Sequence, residues 1–134
     1  MDKLAPGLMG ESRVTVTEVN TARHLGSGNV AVFATPEMVR LMERASVAAV
    51  DHLLPEGQRT VGVAMEVTHL AATPLDMTVT ARAELMAVDG RRLTFRVEAF
   101  DEVEEVGEGT HQRYVIDVAH FQQRAAEKRA RLGQ

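Results

Sequence analysis

Cysteine and tryptophan are both absent from the 134-residue chain, and each absence removes a class of chemistry. Without cysteine there can be no disulfide framework, no thiolate metal site and no cysteine nucleophile. The lack also fits a reducing compartment, so a cytoplasmic location is expected. Aromatic residues are only 4% of the chain, too few for base-stacking platforms. Lys and Arg number 15 against 19 Asp and Glu, a balance that argues against a nucleic-acid surface. No apolar run approaches the length that spans a bilayer, and the first residues lack the apolar core and cleavage site of a signal peptide. Neither nucleic acid nor membrane is therefore an expected partner. No His/Asp/Glu cluster has metal-ligand spacing, and no Gly-x-Ser-x-Gly elbow occurs, so no metal site is expected.

What is present is ordinary for a globular domain: 45% hydrophobic and 25% charged residues, without repeats or an internal linker. Residues 1–11, with Pro6, Gly7 and Gly10, read as a loose lead-in, and residues 12–134 as a single domain. Val14 to Thr17 alternates like a first strand, and Gly26 to Asn29 reads as a loop. From Thr35 to about Leu54 the period becomes helical. Thr35 suits an N-cap, and Pro36 stands in the first turn, where its missing N–H costs nothing. Glu37, Arg40, Arg44, Ala48 and Asp51 form one narrow solvent stripe, and the rest of the circumference is almost wholly apolar. Such a helix needs other structure on most sides.

Pro55 and Gly57 end the helix, and strands are expected over 61–72, 77–88, 93–100 and 110–118. Asp89-Gly90 marks a hairpin, Asp101 to Gly109 an acidic turn, and Phe121 to Leu132 a short basic helix or frayed, solvated end. One strand, one buried helix and an antiparallel meander make an α+β order. The natural solution is the hotdog fold, an antiparallel sheet wrapped around one long central helix. One sheet edge and the helix end would stay uncovered until a second copy arrives, so a homodimer, with higher oligomers open, is expected.

Two ionisable residues fall where the pattern asks for apolar ones. Glu43 lies about 100° from the centre of the solvent stripe, among Val39, Val47, Val50 and Leu54. It is either a carboxylate snorkelling at the stripe's edge or a buried general base whose pKa desolvation would raise. His69 shares a strand face with Val61, Val63, Met65 and Val67, as a core histidine or a site residue. Two such groups on adjacent elements favour a site. Thr35 is explained by capping, although a helix N-terminus would also welcome a developing oxyanion. His111 and Arg113 share one face of the last strand and read as sheet-face or rim residues.

The segments Val32-Phe33-Ala34-Thr35-Pro36-Glu37-Met38-Val39-Arg40-Leu41-Met42-Glu43, Val67-Thr68-His69-Leu70-Ala71-Ala72-Thr73-Pro74, Val88-Asp89-Gly90-Arg91-Arg92-Leu93 and Gly109-Thr110-His111-Gln112-Arg113 resemble, in order, the fluoroacetyl-CoA thioesterase-like hotdog proteins. The resemblance implies a hydrolase that converts a small acyl-CoA thioester to carboxylate and free CoA. It needs no cofactor, because CoA is part of the substrate. It also implies that Thr35, Glu43 and His69 are catalytic and that Gly62 and Arg113 lie on the substrate side. The chain departs from the fluoroacetyl-specific pattern in lacking a longer, phenylalanine-bearing lid before Phe33, which points to a broader acyl-CoA preference. A hotdog hydratase is disfavoured because its Asp-x-x-x-x-His signature is missing. The remaining alternative is a non-catalytic hotdog domain that binds acyl-CoA or another apolar ligand.

Overall fold

The computed structural model describes residues 2–133. One strand precedes the dominant helix and four follow it: β1 (Met9–Thr15), α1 (Ala22–Leu25), α2 (Thr35–Val50), β2 (Gln58–His69), β3 (Thr78–Asp89), β4 (Arg92–Phe100), β5 (Glu105–Asp117) and α3 (Val118–Ala130). All pairings are antiparallel, in the sheet order β1-β3-β4-β5-β2. The helix lies in the curl of this sheet, mainly across β1 and β3. Met38, Leu41, Met42, Ala45, Ala49 and Val50 are buried there against Val79, Leu85, Leu93, Phe95 and Val97 of the strands. Each large side chain so buried contributes roughly 1.5–3 kcal/mol of transfer free energy. This is the hotdog arrangement that the alternation of periods predicts.

The lead-in is not loose. Leu4 is buried in the core, the Gly7 N–H donates to the Leu85 carbonyl at 2.8 Å, and β1 already begins at Met9. Gly10, read from sequence as a loop residue, instead lets β1 approach α2, since a Cβ there would run into the backbone at Ala45 and Ala49. The acidic turn is likewise shorter than expected. The Asp101 carboxylate accepts from the N–H groups of Val103 and Glu104 at 2.8 and 3.0 Å, and β5 starts at Glu105. Gly107 stands under Met38, where any Cβ would strike the thioether. These glycines mark close packing, a use that leaves the same trace in a sequence as a turn. The β3–β4 hairpin turns through Gly90 and Arg91 with Gly90 at φ +60°, as the Asp89-Gly90 pair requires.

Strand β2 decides the position of the site. It is an edge strand twelve residues long, and a bulge at Val63 breaks its register against β5 between Gly62 and Ala64. Two successive residues are thereby spent on one partner step, so the side-chain alternation changes phase. Thr60 and Gly62 face inward before the bulge; Met65, Val67 and His69 face inward after it, opposite His111, Gly109 and Gly107. Val61 and Val63 therefore do not share a face with His69, contrary to strict alternation, and Val63 is 50% exposed.

Candidate active site

Helix α2 and the inner faces of β2 and β5 enclose the candidate residues in two groups. In the first, Thr35 is not the N-cap. Ala34 takes the extended capping backbone, and Pro36 occupies the following turn position. The Thr35 hydroxyl is thus free, and it hydrogen-bonds His69 Nδ1 at 2.7 Å. His69 Nε2 is buried and has no hydrogen-bond partner among the described residues. Burial holds the His69 pKa below the usual imidazole value, with the Ala71 backbone opposing that shift in part. Beside this pair opens a groove of about 390 Å³ whose walls include Ser27, Phe33, Leu70 and Ala71.

In the second group, Glu43 leans from the third turn of α2 toward Gly62. A Cβ on Gly62 would lie 2.7 Å from Glu43 Oε2, 3.3 Å from the His111 ring and 3.4 Å from Arg113 Nη1. The carboxylate is neither fully buried nor unpaired. Its side chain is 42% exposed and accepts from Arg113 Nη1 at 3.3 Å. Arg113 and His111 are not rim residues, as their shared strand face had suggested. Both are buried on the concave side of β5, at 5% and 1% exposure. Burial pushes both pKa values down, and the nearby Asp51 and Glu43 charges work against that shift at Arg113.

The guanidinium is tied on every side. Arg113 Nε donates to Thr60 Oγ1 at 2.8 Å and Nη2 donates to the Thr60 carbonyl at 3.0 Å. Thr60 in turn gives its hydroxyl and its N–H to the Asp51 carboxylate at 2.6 and 3.1 Å. Asp51, assigned from sequence to the solvent stripe, is thus a buttress of the site. Asp51, Thr60 and His111 carried no periodic signal that set them apart; only the i, i+2 spacing of His111 and Arg113 pointed to a shared face.

One chain does not assemble all the sequence candidates at one point. Gly62, Arg113 and Glu43 meet, and Thr35 meets His69. Eight helical residues separate Thr35 from Glu43, a rise of about 12 Å along α2. A further groove of about 310 Å³, lined by Arg91, Tyr114, Phe121 and Arg124, lies near α3 and includes none of these residues.

The concave face of the hotdog sheet carries imidazole and guanidinium groups, and α2 sets a carboxylate against them. The family described as Fluoroacetyl-CoA-specific thioesterase matches residues 16–119. The chain is 50% identical over 97 residues to the fluoroacetyl-CoA thioesterase of Streptantibioticus cattleyicolor, covering 72% of this chain and 70% of that one. A solved structure of the fluoroacetyl-CoA thioesterase FlK superposes with a TM-score of 0.88 at 42% identity, covering 95% of this chain and 98% of the other. A hypothetical protein of Thermus thermophilus, described as a thioesterase superfamily member, superposes at 0.92 with 28% identity and coverage of 99% and 98%. The chain belongs to the fluoroacetyl-CoA-specific thioesterase family, a family of thioester hydrolases. Among the described residues no helix is long and apolar enough to cross a membrane.

Proposed function

We propose that this protein hydrolyses small acyl-CoA thioesters, with Glu43 as the group that activates the attack. The observation that carries this reading is Glu43 facing the side-chain-free Gly62 with Arg113 behind it. That sets the carboxylate directly against the Gly62 backbone and beside a cation, while its exposed part stays open to an approaching thioester. Water would attack the thioester carbon as Glu43 takes its proton, the C–S bond would break, and the proton would pass to the CoA sulfur. Attack by Glu43 itself, followed by hydrolysis of the anhydride, uses the same geometry. The Gly62 amide is available to stabilise the oxyanion, and amides at the start of α2 would reach it only from a second copy. The reaction needs no cofactor, CoA being part of the substrate.

The separation of Thr35 and His69 from Glu43 supports a site shared between two copies. Edge strand β2 presents an unpaired row of backbone groups, the kind of edge that a second strand covers. Antiparallel pairing of two β2 strands about Met65 would bring His69 of one copy to within a residue or two of Gly62 on the other. His69 Nε2, buried without a partner in the single chain, would then face the reacting group or the second copy. His69, oriented by Thr35, would shuttle the proton to the leaving thiolate.

Three measurements test the proposal. Thiol release is expected from a panel of short acyl-CoAs that includes acetyl- and fluoroacetyl-CoA, with modest preference among them because the segment before Phe33 is short. Tight binding without turnover would instead make the domain a binding module. In sedimentation the protein is expected to run as a dimer at micromolar concentration. Mixing inactive Glu43→Gln and His69→Asn dimers, with subunit exchange, should restore about a quarter of wild-type turnover, because half the dimers are mixed and each mixed dimer has one intact site. An active monomer, or no recovery after verified exchange, would refute the shared site.

A further inference from the structure

His111 is the most completely buried ionisable side chain of the site, and the hydrolytic scheme above does not use it. Its hydrogen bonds define its protonation. Nδ1 lies 2.7 Å from the Ala64 carbonyl, which can only accept, so Nδ1 carries the hydrogen. Nε2 lies 3.1 Å from Arg113 Nη1, which can only donate, so Nε2 is bare. The Phe95 ring packs against the imidazole with centroids 6.2 Å apart and closes that side to water.

The Ala64 carbonyl belongs to the bulge that breaks the β2–β5 register, immediately after the step that turns Gly62 inward. A bulged edge strand lacks part of its ladder, so its conformation depends on whatever holds the irregular peptide. His111 does so from β5, and the same ring presents an acceptor to the arginine that orients Glu43. We infer that His111 is a positioning residue for thioester hydrolysis: its neutral Nδ1–H form ties the β2 bulge to Arg113 and so sets Gly62 and Glu43 at their working separation.

Each partner confines the ring differently. A proton on Nε2 would put N–H against N–H and turn Arg113 away. The opposite tautomer would also break the contact with Ala64. Glu43 and Arg113 are the charged groups that face the ring, and their opposite effects leave burial as the dominant influence on it. The ring makes its hydrogen bonds to Ala64 and Arg113 and the scheme gives it no proton to carry, so its effect falls on geometry. A displacement of the order of 1 Å at a reacting pair costs about 100-fold in rate.

The inference rests on the hydrolytic reading, and the experiment separates the two. With the wild-type dimer turning over an acyl-CoA, His111→Phe should lower kcat by about 10- to 100-fold with KM nearly unchanged. His111→Gln, whose amide can both donate to Ala64 and accept from Arg113, should recover most of that loss. In wild type at neutral pH, the ¹⁵N shifts of His111 should report a protonated Nδ1 and a bare Nε2, a reading independent of turnover. Wild-type kcat in a folded His111→Phe protein overturns the positioning role, as does a His111→Gln protein no better than His111→Phe. An imidazolium or the reverse tautomer overturns it even if His111→Phe does not fold. Failure of the wild-type protein to release thiol from any acyl-CoA would sink hydrolysis instead, while the tautomer measurement would still stand.

Discussion

Glu43→Gln is expected to lower kcat by about two orders of magnitude or more, the scale for removing a general base or nucleophile. The amide keeps the volume and an acceptor for Arg113 Nη1, which lies 3.3 Å from the carboxylate, but it can neither take a proton from water nor attack a thioester. The thermal midpoint should move by no more than a few degrees. Glu43 is 42% exposed, so solvent screens its pairing with Arg113, and that arginine keeps both hydrogen bonds to Thr60. Progress curves for free thiol, read beside a melting curve, check both parts. Wild-type turnover in the folded variant would return Glu43 to the status of a glutamate at the edge of a solvent stripe.

The second large effect is expected at Gly62. Its backbone is not left-handed, so no strain attends substitution, and glycine inside a strand is a weak choice for stability. Gly62→Val should therefore still fold, with a Tm lowered by the pressure of the new side chain on buried His111 and Arg113. Its kcat/KM should nonetheless fall by about 100-fold. The first added carbon would stand 2.7 Å from Glu43 Oε2, so the carboxylate must swing away from its place beside Arg113. Gly62→Ala should show the same loss in weaker form. A folded Gly62→Val enzyme with normal kcat/KM would mean that Glu43 need not stand against Gly62 to act.

The two variants probe opposite sides of one contact, and their effects should not add. Once Gly62→Val has displaced the carboxylate, removing it costs less than it does in wild type. The same coupling reaches His111 and Asp51, since all act through Arg113.

Much of this was legible in the chain. A helix from Thr35 that is apolar over most of its circumference, followed by runs of strand, leaves few ways to bury its surface, and the sheet curled around α2 is the one observed. Glu43 and His69 stood out because an ionisable residue on an apolar face is costly without a partner or a use. Gly62 and the substrate-side place of Arg113 came only from the resemblance, and Thr35 gained most from it. Thr35 looked like a cap, and a glycine or an arginine in a strand carries no periodic signal.

Hydrophobic periodicity is a local property, so it determined the helix, the strands and the order in which they follow one another. It could not determine the phase of β2. The bulge at Val63 reverses the side-chain alternation, and bulges are set by pairing with β5, a partner some fifty residues away in sequence. For the same reason the burial of His111 and Arg113, the bracing of Arg113 by Thr60 and Asp51, and the division of the candidates into a Thr35–His69 pair and a Glu43–Gly62–Arg113 group were decided by tertiary structure alone. Each depends on which face of one strand meets which turn of the helix, and no local pattern encodes that meeting.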